Sequence, residues 1–156
     1  MVLNKSENYN SFKVYSNTKL ACVMFGLELD RRLKENGLEI VSTIAHPGIS
    51  ITNISNKLPK ILLTLQDKLG KLFMSDMEQG AESSIYATLN DSVKGGSYYG
   101  PSGLFEIKGK PKKVNSNRIS KNEQLAKEIW TYAEEVTNFK YDINTKALDY
   151  FKCLCI

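Results

Sequence analysis

Tyr15-Ser16-Asn17-Thr18-Lys19-Leu20-Ala21 sets a phenol and an ammonium four residues apart. On a helix that spacing puts both on one face. An ammonium beside a phenol favours the phenolate, drawing the group down from its usual pKa of about 10. A phenol tuned in this way exchanges a proton with a carbonyl or alcohol oxygen near neutral pH. The spacing also arises often by chance, and a surface tyrosine beside a solvated lysine is the ordinary alternative. The surrounding sequence has to carry the argument.

Outward from this pair, Leu20, Val23, Met24 and Leu27 recur at helical spacing. Cys22, Phe25, Leu29 and Leu33 follow the same period on a neighbouring face. A helix over about 11–34 is therefore expected, apolar over most of its girth and buried on more than one side. Asn36-Gly37 supplies its stop, with glycine able to take the left-handed cap conformation. Ser11, at the other end, reads as an N-cap or a polar loop residue. Next, Leu38-Glu39-Ile40-Val41-Ser42-Thr43-Ile44-Ala45 is short and rich in β-branched residues, the pattern of a strand covered on both faces of a parallel sheet. His46-Pro47-Gly48 ends it abruptly. A helix leading through a turn into a buried strand is half of a βαβ crossover.

The remaining chain is less regular. Residues 58–73 read as one or two short helices. A helix is expected over 76–89, capped by Asp76 and with Met77, Ala81, Ile85 and Leu89 as its apolar positions. Lys94-Gly95-Gly96-Ser97 is a turn, and 97–107 holds a strand broken by Gly100-Pro101. Ser120 with Glu123 resembles a capping box that opens a last helix, lined by Leu125, Ile129, Trp130, Ala133 and Val136. About four helices and two strands result. A parallel sheet of two strands is not a stable core, so the strand at 38–45 wants neighbours that this chain does not supply.

The 156 residues suffice for one core, and 42% hydrophobic with 24% charged is an ordinary globular composition. No apolar run approaches the roughly 18–20 residues of a membrane-spanning helix, and Met1-Val2-Leu3-Asn4-Lys5 opens no signal peptide. A cytoplasmic location is expected, with no membrane span. The net charge of +4 is modest, and part of it sits in Lys108-Gly109-Lys110-Pro111-Lys112-Lys113. A basic loop could touch nucleic acid or a phosphate, but no aromatics alternate with these lysines as a stacking platform requires. A solvated loop and no nucleic-acid partner are expected. Cys22, Cys153 and Cys155 make no disulfide framework, and with the lone His46 they make no zinc site. Cys153-Leu154-Cys155-Ile156 formally fits a prenylation box, but isoleucine is unusual at its end and no polybasic run precedes it.

Taken together, Tyr15 to Ala21, Phe25-Gly26-Leu27-Glu28-Leu29-Asp30-Arg31-Arg32-Leu33 and a strand ending in His46-Pro47-Gly48 resemble the short-chain dehydrogenase/reductase family, in its retinol-dehydrogenase-like branch. Gln79-Gly80-Ala81 and Ser97-Tyr98-Tyr99 extend the resemblance, which runs over about 9–136. It implies an α/β fold: the C-terminal half of a Rossmann-like doubly wound parallel sheet, with the N-terminal dinucleotide-binding strands missing. The chain then reads as a single partial domain over 1–156. Its parts would be an irregular lead-in at 1–12, the catalytic helix, strand and substrate loop at 13–110, a C-terminal helix at 120–138 and an unassigned tail at 139–156.

The resemblance also implies roles. Tyr15 would be the catalytic acid/base. Lys19 would assist it and hydrogen-bond the nicotinamide ribose. Pro47 and Gly48 would shape the turn at the carboxyl end of the strand, where open α/β sheets bind ligands. Ile49 would meet the nicotinamide carboxamide through its backbone, and Thr52 would bond that carboxamide or the phosphates. His46 reads as structural, since the acid/base in this branch is the tyrosine. Residues 53–75 would form the loop over a small lipophilic carbonyl or alcohol. The cofactor would be NADP or NAD. The family's glycine-rich phosphate turn, its Asn-Asn-Ala-Gly segment and its catalytic serine have no match in this sequence. A chain so composed is expected to have little or no activity alone, and to need a complementing N-terminal half. The alternative is a non-catalytic interaction module. In the family the tyrosine helix and the helix at 76–89 form the subunit interface, so a homo-oligomer or association with a full-length dehydrogenase is expected.

Overall fold

A computed structural model describes residues 9–48 and 77–143. The sequence expectations for 49–76, including Asp76, Ile49 and Thr52, lie outside these residues, as do Cys153 and Cys155. The chain divides into two compact units, one of residues 1–40 and 116–156 and the other of 41–115.

The first unit is helical. α1 spans Ser11–Glu35, and Asn10, not Ser11, caps it by accepting from Lys13 N at 3.0 Å. It thus begins inside the stretch expected to be irregular. Its end follows the expected chemistry. Gly37 sits at φ +66, Gly37 N bonds Lys34 O at 3.0 Å and Leu38 N bonds Leu33 O at 3.0 Å. That is the paired hydrogen bonding of a Schellman motif, with Leu33 and Leu38 both buried beside it. α3 spans Glu123–Thr137 and is capped by Asn122, which accepts from Leu125 N at 3.0 Å.

Ser120, expected as that cap, lies instead in a 3-10 turn, Arg118–Lys121, and donates to Asn117 O at 2.6 Å. Asn117 has already turned the chain there by accepting from Ile119 N, so the helix waits for the next asparagine. α1 packs on α3. Met24 and Trp130 are the most buried residues of this core, at 0% and 1% exposure. Trp130 stacks on Phe25 with ring centroids 4.6 Å apart and the planes 7° from parallel. The expected burial of α1 on several sides holds only in part. Cys22 is exposed, while the charged Glu28 and Asp30 are buried.

The second unit is a three-stranded sheet with a helix. β1 is Thr43–Ala45, β2 is Ser97–Pro101 and β3 is Pro111–Val114, in the order β1-β2-β3. β1 and β2 are parallel, with Thr43 opposite Ser97 and Ala45 opposite Tyr99. α2, Met77–Leu89, lies between them in sequence and packs on both, the order of a βαβ unit. β3 is antiparallel to β2, pairing Val114 with Tyr98 and Pro111 with Pro101.

Four expectations are corrected here. The strand expected over 38–45 is confined to its last three residues. Among the described residues β1 has a partner on one edge only, and Ile40 and Val41 are exposed at 37% and 57%. β2 includes Gly100 and Pro101 but ends there, with Leu104–Glu106, expected to continue the strand, in a 3-10 turn, and the lysine loop contributes β3. On α2, Ala81, Ile85 and Leu89 face outward, while the small residues Gly80, Ser83 and Ala87 are buried. Small side chains let the helix approach the sheet closely enough for Thr43 Oγ1 to donate to Ala87 O at 3.3 Å.

Candidate active site

α1 carries the first part of the expected site. Tyr15 and Lys19 lie one turn apart on one face of the helix, with Lys19 Nζ 5.5 Å from the centroid of the Tyr15 ring. That is within reach of a cation–π attraction. Both side chains are exposed, Tyr15 at 59%. Among the described residues, neither the Tyr15 hydroxyl nor the Lys19 ammonium has a hydrogen-bond or ion-pair partner. The pair therefore offers one phenol and one cation, adjacent and uncommitted. Thr18, beside them on the helix, is spent on Val14 O at 2.9 Å.

The helix is stiffened about two and a half turns beyond Lys19. Glu28, 2% exposed, accepts from Arg31 Nε at 2.8 Å, Arg31 Nη2 at 2.6 Å and Arg32 Nε at 2.7 Å. Arg31 also bonds Glu35. Burial pushes the Glu28 carboxyl upward, but the hydrogen bonds from Arg31 and Arg32 with their charges outweigh it and hold the carboxyl below its ordinary value of 4.5.

The second part of the expected site is the turn after β1, described within its own unit. Pro47 is exposed and Gly48 sits at φ +72. A side chain on Gly48 would overlap the carbonyl oxygen of Ile107 and crowd Pro101, so only glycine fits. His46, expected to be structural, is committed on every side. Its backbone N–H donates to Tyr99 O at 2.9 Å, its Nδ1 accepts from Gly48 N at 3.2 Å and its Nε2 meets Glu106 Oε2 at 3.0 Å. Its ring lies 5.0 Å from that of Tyr98 and occupies the space that a side chain on Gly100 would need. Burial, and then the charge of Glu106, push the Tyr98 phenol above its ordinary 10.0.

Of the expected site residues, Tyr15 and Lys19 are brought together, as are Pro47 and Gly48; Ile49 and Thr52 are outside the described residues. Glu106 was not anticipated. It lies sixty residues from its partner in sequence, on a turn that no local pattern announces.

Among the described residues no three His, Cys, Asp or Glu side chains are grouped to hold a metal ion, and no helix is long and apolar enough to cross a membrane. No family model matches the chain. It is similar to human retinol dehydrogenase 14, at 30% identity over 136 residues covering 85% of this chain and 37% of that protein. It is similar also to human polyprenol dehydrogenase, at 26% over 136 residues covering 86% of this chain and 39% of that protein. The chain thus spans well under half the length of these relatives. Among solved structures, an uncharacterized protein from Mycobacterium paratuberculosis superposes with a TM-score of 0.65 at 30% identity, over 88% of this chain and 43% of that one.

Proposed function

The chain belongs to the short-chain dehydrogenase/reductase family, matching the C-terminal part of its retinol dehydrogenase-like members, and from that premise we propose that it is the catalytic-helix portion of an NAD(P)-dependent oxidoreductase. The observation that carries this reading is the Tyr15–Lys19 pair, adjacent on α1 and without other partners among the described residues.

In this reading the Tyr15 hydroxyl gives a proton to the carbonyl oxygen during reduction and takes it back from the alcohol during oxidation. Lys19 hydrogen-bonds the nicotinamide ribose and stabilises the charge left on the Tyr15 oxygen. The Pro47-Gly48 turn presents backbone to the nicotinamide, with Ile49 and Thr52 binding its carboxamide. The nicotinamide, NADP or NAD, supplies or accepts the hydride at the substrate carbon. The residues present suit the nicotinamide-ribose end of such a cofactor, where an exposed cation and hydroxyl are needed. The glycine-rich turn that would receive the pyrophosphate is not in this sequence.

A cofactor held at one end only is poorly placed for differential binding of the transition state. The chain alone accordingly has little or no activity, and gains it from a complementing N-terminal half. The proposed substrate is a small lipophilic carbonyl or alcohol and the proposed setting the cytoplasm; among the described residues no helix is long and apolar enough to cross a membrane. The test is to assay nicotinamide oxidation on a panel of aldehydes and ketones, with the chain alone and with a dinucleotide-binding half added. Turnover that appears on addition and is lost with Tyr15→Phe supports the reading.

A second reading, a non-catalytic module that dimerises or joins a full-length dehydrogenase, draws on the exposed apolar side chains. Phe12 is 77% exposed, Ile85 55% and Leu89 74%. It is favoured if the chain self-associates in solution while no complement produces turnover.

A further inference from the structure

The loop after β2 grips the Pro47-Gly48 turn at two points. One grip is backbone: the carbonyl of Ile107 sits where Gly48 would carry a side chain. The other is a relay of hydrogen bonds. His46 Nδ1 accepts from Gly48 N–H at 3.2 Å, so that nitrogen carries no proton. In the neutral ring the proton is then on Nε2, which donates to Glu106 Oε2 at 3.0 Å. A carboxylate on Nε2 thereby selects the tautomer that leaves Nδ1 free to hold the turn.

The local backbone is bent to make this contact. Phe105 and Glu106 are consecutive non-glycine residues at φ 52 and φ 56, a conformation that L side chains rarely adopt and that persists only where the surroundings enforce it. They are enforced by a closed hairpin, in which Ser102 N bonds Lys110 O at 2.9 Å and Gly103 N bonds Lys108 O at 3.0 Å. On the other side, the absence of a side chain at Gly100 gives the imidazole its berth.

We propose that Glu106 is a positioning residue: it sets the His46 tautomer, and through His46 it fixes the Gly48 backbone that would face the nicotinamide. The positioning of cofactor rests on the oxidoreductase reading; the latch between Glu106 and Gly48 does not. A surface ion pair that merely stabilised the fold would leave the tautomer unchanged when removed.

His46 is the only histidine in the chain, so its ring nitrogens give one unambiguous set of 15N signals. The wild-type chain is expected to show the Nε2–H tautomer. Glu106→Gly removes the carboxylate while suiting the left-handed backbone, so the loop is retained. It is expected to mix the tautomers and speed Gly48 amide exchange by about five- to tenfold, the loss of one hydrogen bond. Glu106→Gln, whose carbonyl oxygen still accepts from Nε2–H, restores the wild-type spectrum. Unchanged His46 signals and unchanged exchange in Glu106→Gly overturn the latch. Titration with NADH of the chain complemented with a dinucleotide-binding half, followed by NADH fluorescence, reads the positioning of cofactor. Weaker binding by Glu106→Gly than by the wild type supports positioning, and equal binding overturns it. A wild-type chain that binds no NADH even with the dinucleotide-binding half added counts against the oxidoreductase reading, while the histidine signals still decide the latch.

Discussion

The guanidinium of Arg32 lies 4.4 Å from the centroid of the Trp130 ring while its Nε holds Glu28 at 2.7 Å. One cation thus joins the aromatic core of the helical unit to its buried carboxylate. Trp130 is bound on its other sides by Phe25, by Tyr141 at 6.0 Å edge-on and by Glu134, which accepts from Nε1 at 2.9 Å.

Trp130→Ala is therefore expected to cost about 3–5 kcal/mol, the range for emptying a large aromatic site in a core. Urea unfolding followed by circular dichroism measures it. A loss under about 1 kcal/mol would mean that this ring does not organise the core.

Glu28 makes stability depend on pH. Its folded carboxyl is held below 4.5 by Arg31 and Arg32 against the opposing push of burial. The contribution is fully present above the unfolded carboxyl pKa and is lost as pH falls through the lower folded value. The unfolding midpoint should fall on acidification below about pH 4.5, and Glu28→Gln should flatten that part of the curve. Parallel curves for the two proteins would contradict the assignment.

Two left-handed glycines separate backbone strain from crowding. Gly37, at φ +66, has open space around it, whereas Gly48, at φ +72, lies under Ile107 O. Gly37→Ala should cost about 1–2 kcal/mol, the penalty of the left-handed conformation. Gly48→Ala should cost that and roughly 1–3 kcal/mol more for the overlap. Denaturation midpoints compare the two directly, and equal losses would refute the close approach at Gly48.

Tyr98 reports on the same loop. Its phenol is raised first by burial and then by Glu106. Absorbance titration should find a tyrosine that ionises above pH 10.0. Glu106→Gln should bring it only part of the way back, because burial remains. A full return to the ordinary value would make the charge, not burial, the main cause.

Much of α1 was legible because its period is long and Asn36-Gly37 marks its end, whereas its start was placed one residue late because Asn10, not Ser11, is the cap. The tyrosine–lysine pair was legible for the same reason. β3 was not. In Pro111-Lys112-Lys113-Val114 only Val114 is buried, and a proline-led edge strand with two solvated lysines has the composition of a loop. The inward face of α2 was hidden because apolar period picks out large side chains, while close packing on the sheet selected Gly80, Ser83 and Ala87. Glu28 escaped notice because its burial depends on two arginines that read, in sequence, as part of a solvated helix end. The Glu106–His46 contact depends on two left-handed residues, and nothing in Leu104-Phe105-Glu106 encodes them locally.

The Tyr15 hydroxyl stands at the centre of the functional account, and one measurement tests it most directly. The chain, complemented with a dinucleotide-binding half, is assayed for carbonyl-dependent oxidation of a reduced nicotinamide cofactor, with Tyr15→Phe beside the wild type. The account predicts measurable turnover for the wild type and a loss of about a hundredfold or more for Tyr15→Phe, the contribution of a positioned proton donor. Equal turnover in the two proteins would contradict it.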